Sequence, residues 1–252
     1  SDLFSSVTGI RGWRTGVTLT VQTGAVLDLG SGDISGGGDW AVAVTGGSFT
    51  LDRIFTNGSI KDRVGNLSVS AGLLRPTGRI YLNNTNFETT ATSSVTVSGG
   101  ILDNPSGRFR LYGADADDRA SLNIIGSTGT FSNGNGTLTL FNTSEGYENS
   151  ATDVNFILDL SGVTTISTSS VTLGGNALTI DFSGATTVPG VYMYDLIDYG
   201  NSVTGAFAAP TFVGLGAYQS ASFVHDTVEK KFSVEYTVVP EPSCLLLLTA
   251  TA

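Results

Sequence analysis

Ser94-Val-Thr-Val-Ser-Gly-Gly-Ile-Leu-Asp-Asn-Pro-Ser-Gly-Arg-Phe-Arg-Leu111 contains the unit from which the fold can be read. It opens on an alternation of apolar and small polar residues, Ser94-Val-Thr-Val97, and then turns at Gly99. It ends on a second alternating stretch, Gly107-Arg-Phe-Arg-Leu111. Strict alternation over a few residues marks a half-buried strand, with one face dry and the other wet. The first stretch recurs as Val17-Thr-Leu-Thr-Val21, Ala41-Val-Ala-Val44, Asn66-Leu-Ser-Val69 and Ser121-Leu-Asn-Ile124. Gly24, Gly46, Gly72 and Gly126 follow these copies. Val42, Leu67, Val95 and Leu122 stand 25, 28 and 27 residues apart. The second stretch recurs as Gly78-Arg-Ile-Tyr-Leu82 and Gly136-Thr-Leu-Thr-Leu140, with steps of 29 and 29. A near-fixed period in this range is the signature of a stacked solenoid.

Working outward, each winding reads as a strand, a Gly turn, a second short strand and a longer Asn/Gly/Ser connection. Parallel stacking at about 4.8 Å would pile the Val, Leu and Ile side chains into dry columns. The solenoid is expected over residues 17–175. Residues 1–16 form a lead-in that caps the first winding. Residues 176–239 change character: Ala177-Leu-Thr-Ile-Asp-Phe182, Gly190-Val-Tyr-Met-Tyr-Asp-Leu-Ile197 and Lys231-Phe-Ser-Val-Glu-Tyr-Thr-Val238 are longer and more aromatic. They predict an antiparallel β cap. The insertion Glu145-Gly-Tyr-Glu-Asn-Ser150 stretches one winding before the cap.

Composition agrees with an all-β chain. Of the 252 residues 33 are Gly and 13% are charged, about half the usual charged share. Strands and tight turns suit such a chain better than helices do. The net charge of −10 argues against nucleic acid and anionic membrane surfaces as partners. The charge is also uneven. Residues 1–119 carry ten Arg or Lys against eleven Asp or Glu, whereas residues 120–252 carry only Lys230 and Lys231 against eleven acids. Cys244 is the single cysteine, so no disulfide forms within the chain.

Val238-Val-Pro-Glu-Pro-Ser-Cys-Leu-Leu-Leu-Leu248 resembles the PEP-CTERM sorting signal of exosortase-processed bacterial proteins. The matching residues are Pro240, Glu241 and Pro242 and the apolar run after them. The resemblance implies export in a Gram-negative-type bacterium, tail processing by an exosortase-type enzyme, and an extracellular or outer-surface location. The apolar run is far shorter than the roughly 20 residues of a membrane helix, and no basic cluster follows it. The tail over 240–252 is therefore expected to be a truncated form of the signal. The body is similar to autotransporter-type β-strand repeat proteins, on the Gly-containing turns at 45–47, 70–72 and 98–100 and on the closing segment Gly190–Gly200. That likeness implies a right-handed parallel β-helix.

The chemistry-bearing residues are few. Arg79, Arg108 and Arg110 fall on neighbouring windings by the 29-residue register and could face an acidic glycan, with Asp52 or Asp103 nearby. Asp115, Asp117 and Asp118 put three carboxylates within four residues, as oxygen-rich calcium loops do. No other cofactor is expected. His225 is the only histidine and has no nucleophile in a recognisable setting beside it. The reading that absorbs most of the chain is a non-enzymatic structural protein of the bacterial surface or matrix, assembling head to tail into homopolymeric filaments by strand pairing. The tail strand from Lys231 is a further candidate for donation to a neighbour. The alternatives are a polysaccharide lyase or hydrolase, and a glycan-binding adhesin with extracellular polysaccharide as its partner.

Overall fold

A computed structural model of the chain describes residues 9–12, 17–36, 40–56, 65–83, 92–105, 108–112, 119–141 and 152–241. The calcium candidates Asp115, Asp117 and Asp118, the insertion from Glu145 to Ser150, and Pro242 with the tail after it lie outside these residues. The described residues form nineteen strands and no helix. The first ten are β1 (Gly9–Gly12), β2 (Val17–Val21), β3 (Val26–Asp28), β4 (Asp33–Gly36), β5 (Trp40–Thr56), β6 (Gly65–Asn83), β7 (Thr92–Val97), β8 (Ile101–Asp103), β9 (Arg108–Tyr112) and β10 (Arg119–Ile125). Then come β11 (Thr130–Ser132), β12 (Thr137–Thr139), β13 (Asp153–Ile157), β14 (Ile166–Thr172), β15 (Leu178–Asp181), β16 (Gly190–Thr204), β17 (Thr211–Val213), β18 (Gln219–Asp226) and β19 (Lys231–Val238).

The strands stack as a parallel β-solenoid with three faces. On the first face β2, β5, β6, β7, β10, β13, β15 and β17 pair in parallel, in that order. Their register aligns Val21, Val44, Val69, Val97, Ile124, Phe156, Ile180 and Phe212 in one inward column. The second face aligns Leu27, Phe49, Leu74, Leu102, Phe131, Ile166 and Ile197. The third aligns Ile34, Ile54, Ile80, Phe109, Leu138, Val171 and Val203. From Val44, Phe49 and Ile54 upward these columns are almost wholly buried and merge into one core. Each fully buried aliphatic or aromatic side chain contributes about 1.5–3 kcal/mol of transfer free energy, repeated at every rung.

The middle face departs from the expected two-strand winding. Each winding has three strands, and the second-face strand is often only three residues long, as in β8 and β11. In β5 and β6 one continuous strand runs through all three faces, and their mutual register slips between Val44 and Ser48 and between Leu51 and Arg53. Those slips are the corners, where bulges bend the chain.

Parallel winding runs on past residue 175. β15 lies on β13, β17 lies on β15, and Ile197–Thr204 of β16 lies on β14. The antiparallel closure comes later and on one face only. β19 pairs antiparallel with the first part of β16, from Gly190↔Val238 to Asp198↔Lys231. β18 then pairs antiparallel with the other edge of β19. β19 is thus an inner strand with both edges occupied, and the expected donation of the strand from Lys231 to a neighbour is corrected: it has no edge to give.

Aromatic side chains fill the end of the core. Phe232 packs on Phe207, Phe223 and His225 at centroid distances of 5.3, 5.8 and 4.2 Å. Phe182 stacks on Tyr236 at 4.7 Å, and the Tyr236 hydroxyl donates to the Thr186 carbonyl at 3.0 Å. These rings shield the last column from water, as a terminal repeat of a solenoid must.

Candidate functional site

The third face carries the charged side chains that the 29-residue register brought together. The register places Arg53, Arg79 and Arg108 at one position of β5, β6 and β9. Two residues further along each strand, Tyr81 lies opposite Arg110. Alternation turns Arg53, Arg79, Tyr81 and Arg110 outward, because Ile54, Ile80, Phe109 and Leu111 beside them are buried. The guanidinium carbon of Arg79 sits 4.8 Å from the Tyr81 ring centroid and that of Arg110 sits 4.6 Å from it. Both distances are within the range of a cation–π contact. Tyr81 was not singled out in the sequence. Its place two residues after Arg79, on the same face, was the available signal.

The two acids expected beside these arginines form ion pairs with other arginines. Asp103 pairs with Arg75 on the second face at 3.3 Å, in register with it. Asp52 lies 3.1 Å from Arg53. Arg53 also donates from Nε and Nη2 to the two carboxylate oxygens of Asp33 at 2.8 and 2.7 Å, one winding below. That hydrogen-bonded carboxylate raises the Arg53 pKa first and by its charge second, with Asp52 adding to it and burial opposing it. Arg53 is therefore neutralised in a two-point ion pair. The strand segments that carry Arg79, Arg108 and Arg110, Gly78–Asn83 of β6 and all of β9, contain no Asp or Glu.

His225 is placed in a structural role. It stacks on Phe232, and its Nε2 lies 2.9 Å from the Tyr199 hydroxyl. Burial, and then the charge of Asp226, push the Tyr199 phenol above its ordinary value. Among the described residues no three His, Cys, Asp or Glu side chains converge as metal ligands do.

A shallow trough of about 670 Å³ follows the corner between the first and second faces. Gly24, Gly46, Gly72 and Gly99 floor it, with Val26, Leu73 and Ile101 along one side. Packing explains the floor. Gly72 has φ +77°, and a Cβ there would run into the carbonyl oxygen of Gly47 on the winding below. The corner is bare because adjacent backbones approach too closely for side chains.

The two poles differ. At the amino-terminal pole β1, β2 and β3 each pair on one side only among the described residues. At the other pole the faces end at different heights. The third face ends at the last residues of β16 and the first at β17, which among the described residues pairs only with β15. The second face adds β19 and then β18 beyond β16, so β18 stands one rung above β17. The outer edge of β18 is the most protruding strand edge at this pole.

Comparison of the chain with models of known protein families, with curated proteins and with solved structures gave no match.

Proposed function

We propose that this chain is a non-enzymatic extracellular structural protein of a bacterial surface or matrix, and that it associates head to tail by strand pairing. The observation that carries this reading is the presence, at both poles of a parallel stack, of strand edges without partners among the described residues. Such edges are templates for another chain. A head-to-tail contact between unlike poles does not close on itself and extends into a filament. The protruding β18 makes first contact and meets the second-face strand of the opposite pole, β3. β18 is antiparallel to β19, which is antiparallel to β16, so β18 runs with the stack and this joint is parallel. Val26 in β3 is 80% exposed, and neither strand contains Lys, Arg or Pro to discourage pairing.

The PEP-type residues Pro240, Glu241 and Pro242 support export and tail processing by an exosortase-type enzyme. One residue, Val239, separates Pro240 from the end of β19.

Electron microscopy of negatively stained protein across a concentration series tests the reading. Rods that lengthen with concentration are expected. Val26→Lys and Val224→Lys, on the two edges of the joint, should leave single particles with unchanged circular dichroism. Wild-type protein that stays as single particles at every concentration would overturn the proposal.

A further inference from the structure

We infer that the open edge at the start of β16 takes residues 244–248 of this chain's own tail as a fourth strand of the cap sheet. This gives the tail a seat on the body, beyond any part in sorting. It does not rest on filament formation, which uses β18 and β3. Three observations carry it. First, residues 190–194 of β16 pair with β19 on one side and, among the described residues, with no strand on the other. Pairing with β14 begins only at Ile197, and the Thr165 hydroxyl closes the edge at the Asp195 carbonyl. An open strand edge is a template for an added strand. Second, exposed apolar side chains flank this edge. Val191 is 68% and Met193 53% exposed on the outer side of β16, and Val188 before them is exposed too. Tyr192 and Tyr194 alternate to the inner side and pack against the core. Gly162 sits against the Tyr194 ring, and Leu160 in the same turn is exposed. Such a cluster marks a surface that something covers. Third, the tail starts beside this edge, because Gly190 pairs with Val238 at the end of β19.

Length and chemistry both fit. Crossing from β19 to the far edge of β16 spans two strand spacings, about 10 Å. Residues 239–243 reach up to about 17 Å, so residue 244 can begin a strand parallel to β16. Pro242-Ser-Cys-Leu-Leu-Leu-Leu-Thr-Ala-Thr-Ala252 has no charged side chain. Leucines on the two faces of the added strand then meet Val191 and Met193 outside and Tyr194 and Leu160 inside. The short connection holds the tail at a local concentration of about millimolar, which favours its own body over another copy. The outer edge of β18 is equally near, since Ser220 and Val191 flank Thr237 on its two sides. At the matching positions, however, β18 offers Ser220 and Ser222 where β16 offers Val191 and Met193. The apolar run therefore goes to β16.

The test is disulfide trapping in the full chain, whose single native cysteine is Cys244. Val191→Cys and Met193→Cys are each oxidised at low protein concentration, with Ser220→Cys and Ser222→Cys on β18 as controls at matching positions. Neighbouring strands lie about 4.8 Å apart, inside the Cα separation of roughly 4.4–6.8 Å that a disulfide bridges. An intrachain disulfide is expected to form at least about tenfold faster for Val191→Cys or Met193→Cys than for either control, because exchange rates follow access. The native thiol gives a second reading. In wild type Cys244 should react with a thiol reagent at least about tenfold more slowly than after unfolding in urea. Val191→Asp with Met193→Asp should restore the fast rate with unchanged circular dichroism. Equal trapping at β16 and β18, faster trapping at β18, or disulfides formed only between chains would overturn the inference. So would a wild-type Cys244 as reactive as in the unfolded chain.

Discussion

Asp159 shows how a single side chain ties one winding to the next. Its carboxylate accepts the backbone N–H groups of Ser127, Ser161 and Gly162, each at 2.8–3.0 Å, and the Ser127 hydroxyl at 3.0 Å. Ser127 belongs to the preceding winding, so the bonds cross the rung as well as closing the local turn. Burial by itself would raise the Asp159 pKa. The hydrogen bonds from Ser127, Ser161 and Gly162 outweigh burial and leave it lowered. A lowered folded pKa means that the stabilisation is complete above the unfolded carboxylate value of about 3.9 and is lost as pH falls through the folded value. Thermal melts of wild type and Asp159→Asn should therefore differ by a constant amount near neutral pH, and the gap should close only below about pH 4. A gap that widens in acid would contradict this account of the turn. The sequence signalled such corners through glycine but not the tie from Asp159 to the preceding winding, because Ser127 lies 32 residues back.

At the scale of the element, the first face was fully legible. Val42 and Val44, Leu67 and Val69, Val95 and Val97 each give two inward residues in a row of alternation. The third face was legible for the same reason, through Ile80 with Leu82 and Phe109 with Leu111. The second face was missed because its three-residue strands offer one inward side chain apiece, such as Leu102 or Phe131. One apolar residue between turns carries no period. That single residue is nonetheless buried to the same depth as its neighbours. Leu102→Ala should lower unfolding free energy by about 2–5 kcal/mol, the cost of a core cavity, as read by urea denaturation. A change within about 0.5 kcal/mol, typical of surface sites, would mean that the second face is not part of the core. Longer aromatic strands correctly announced the cap, but the edge at which parallel pairing gives way to antiparallel pairing depends on contacts between β16 and β19, more than thirty residues apart. The arginine register was likewise readable from spacing. The diversion of Asp52 to Arg53 and Asp103 to Arg75 was not, because the corners decide which face an acid reaches.

For the whole molecule, charge and shape favour one mode of association. Residues 120–252 carry Lys230 and Lys231 against eleven acids, whereas residues 1–119 are nearly balanced. Contact between two cap poles brings the acidic halves together and is opposed by their repulsion. Contact between unlike poles avoids it and continues the rung direction of one solenoid into the next. In the proposed assembly the raised edge of β18 confines the joint to the second face, where β3 can meet it. X-ray fibre diffraction from aligned rods tests this most directly, because strands then lie across the rod axis from one subunit to the next. The account predicts a strong reflection near 4.8 Å on the meridian. The same reflection on the equator would mean that the solenoids pack side by side across the rod, and end-to-end pairing would be contradicted.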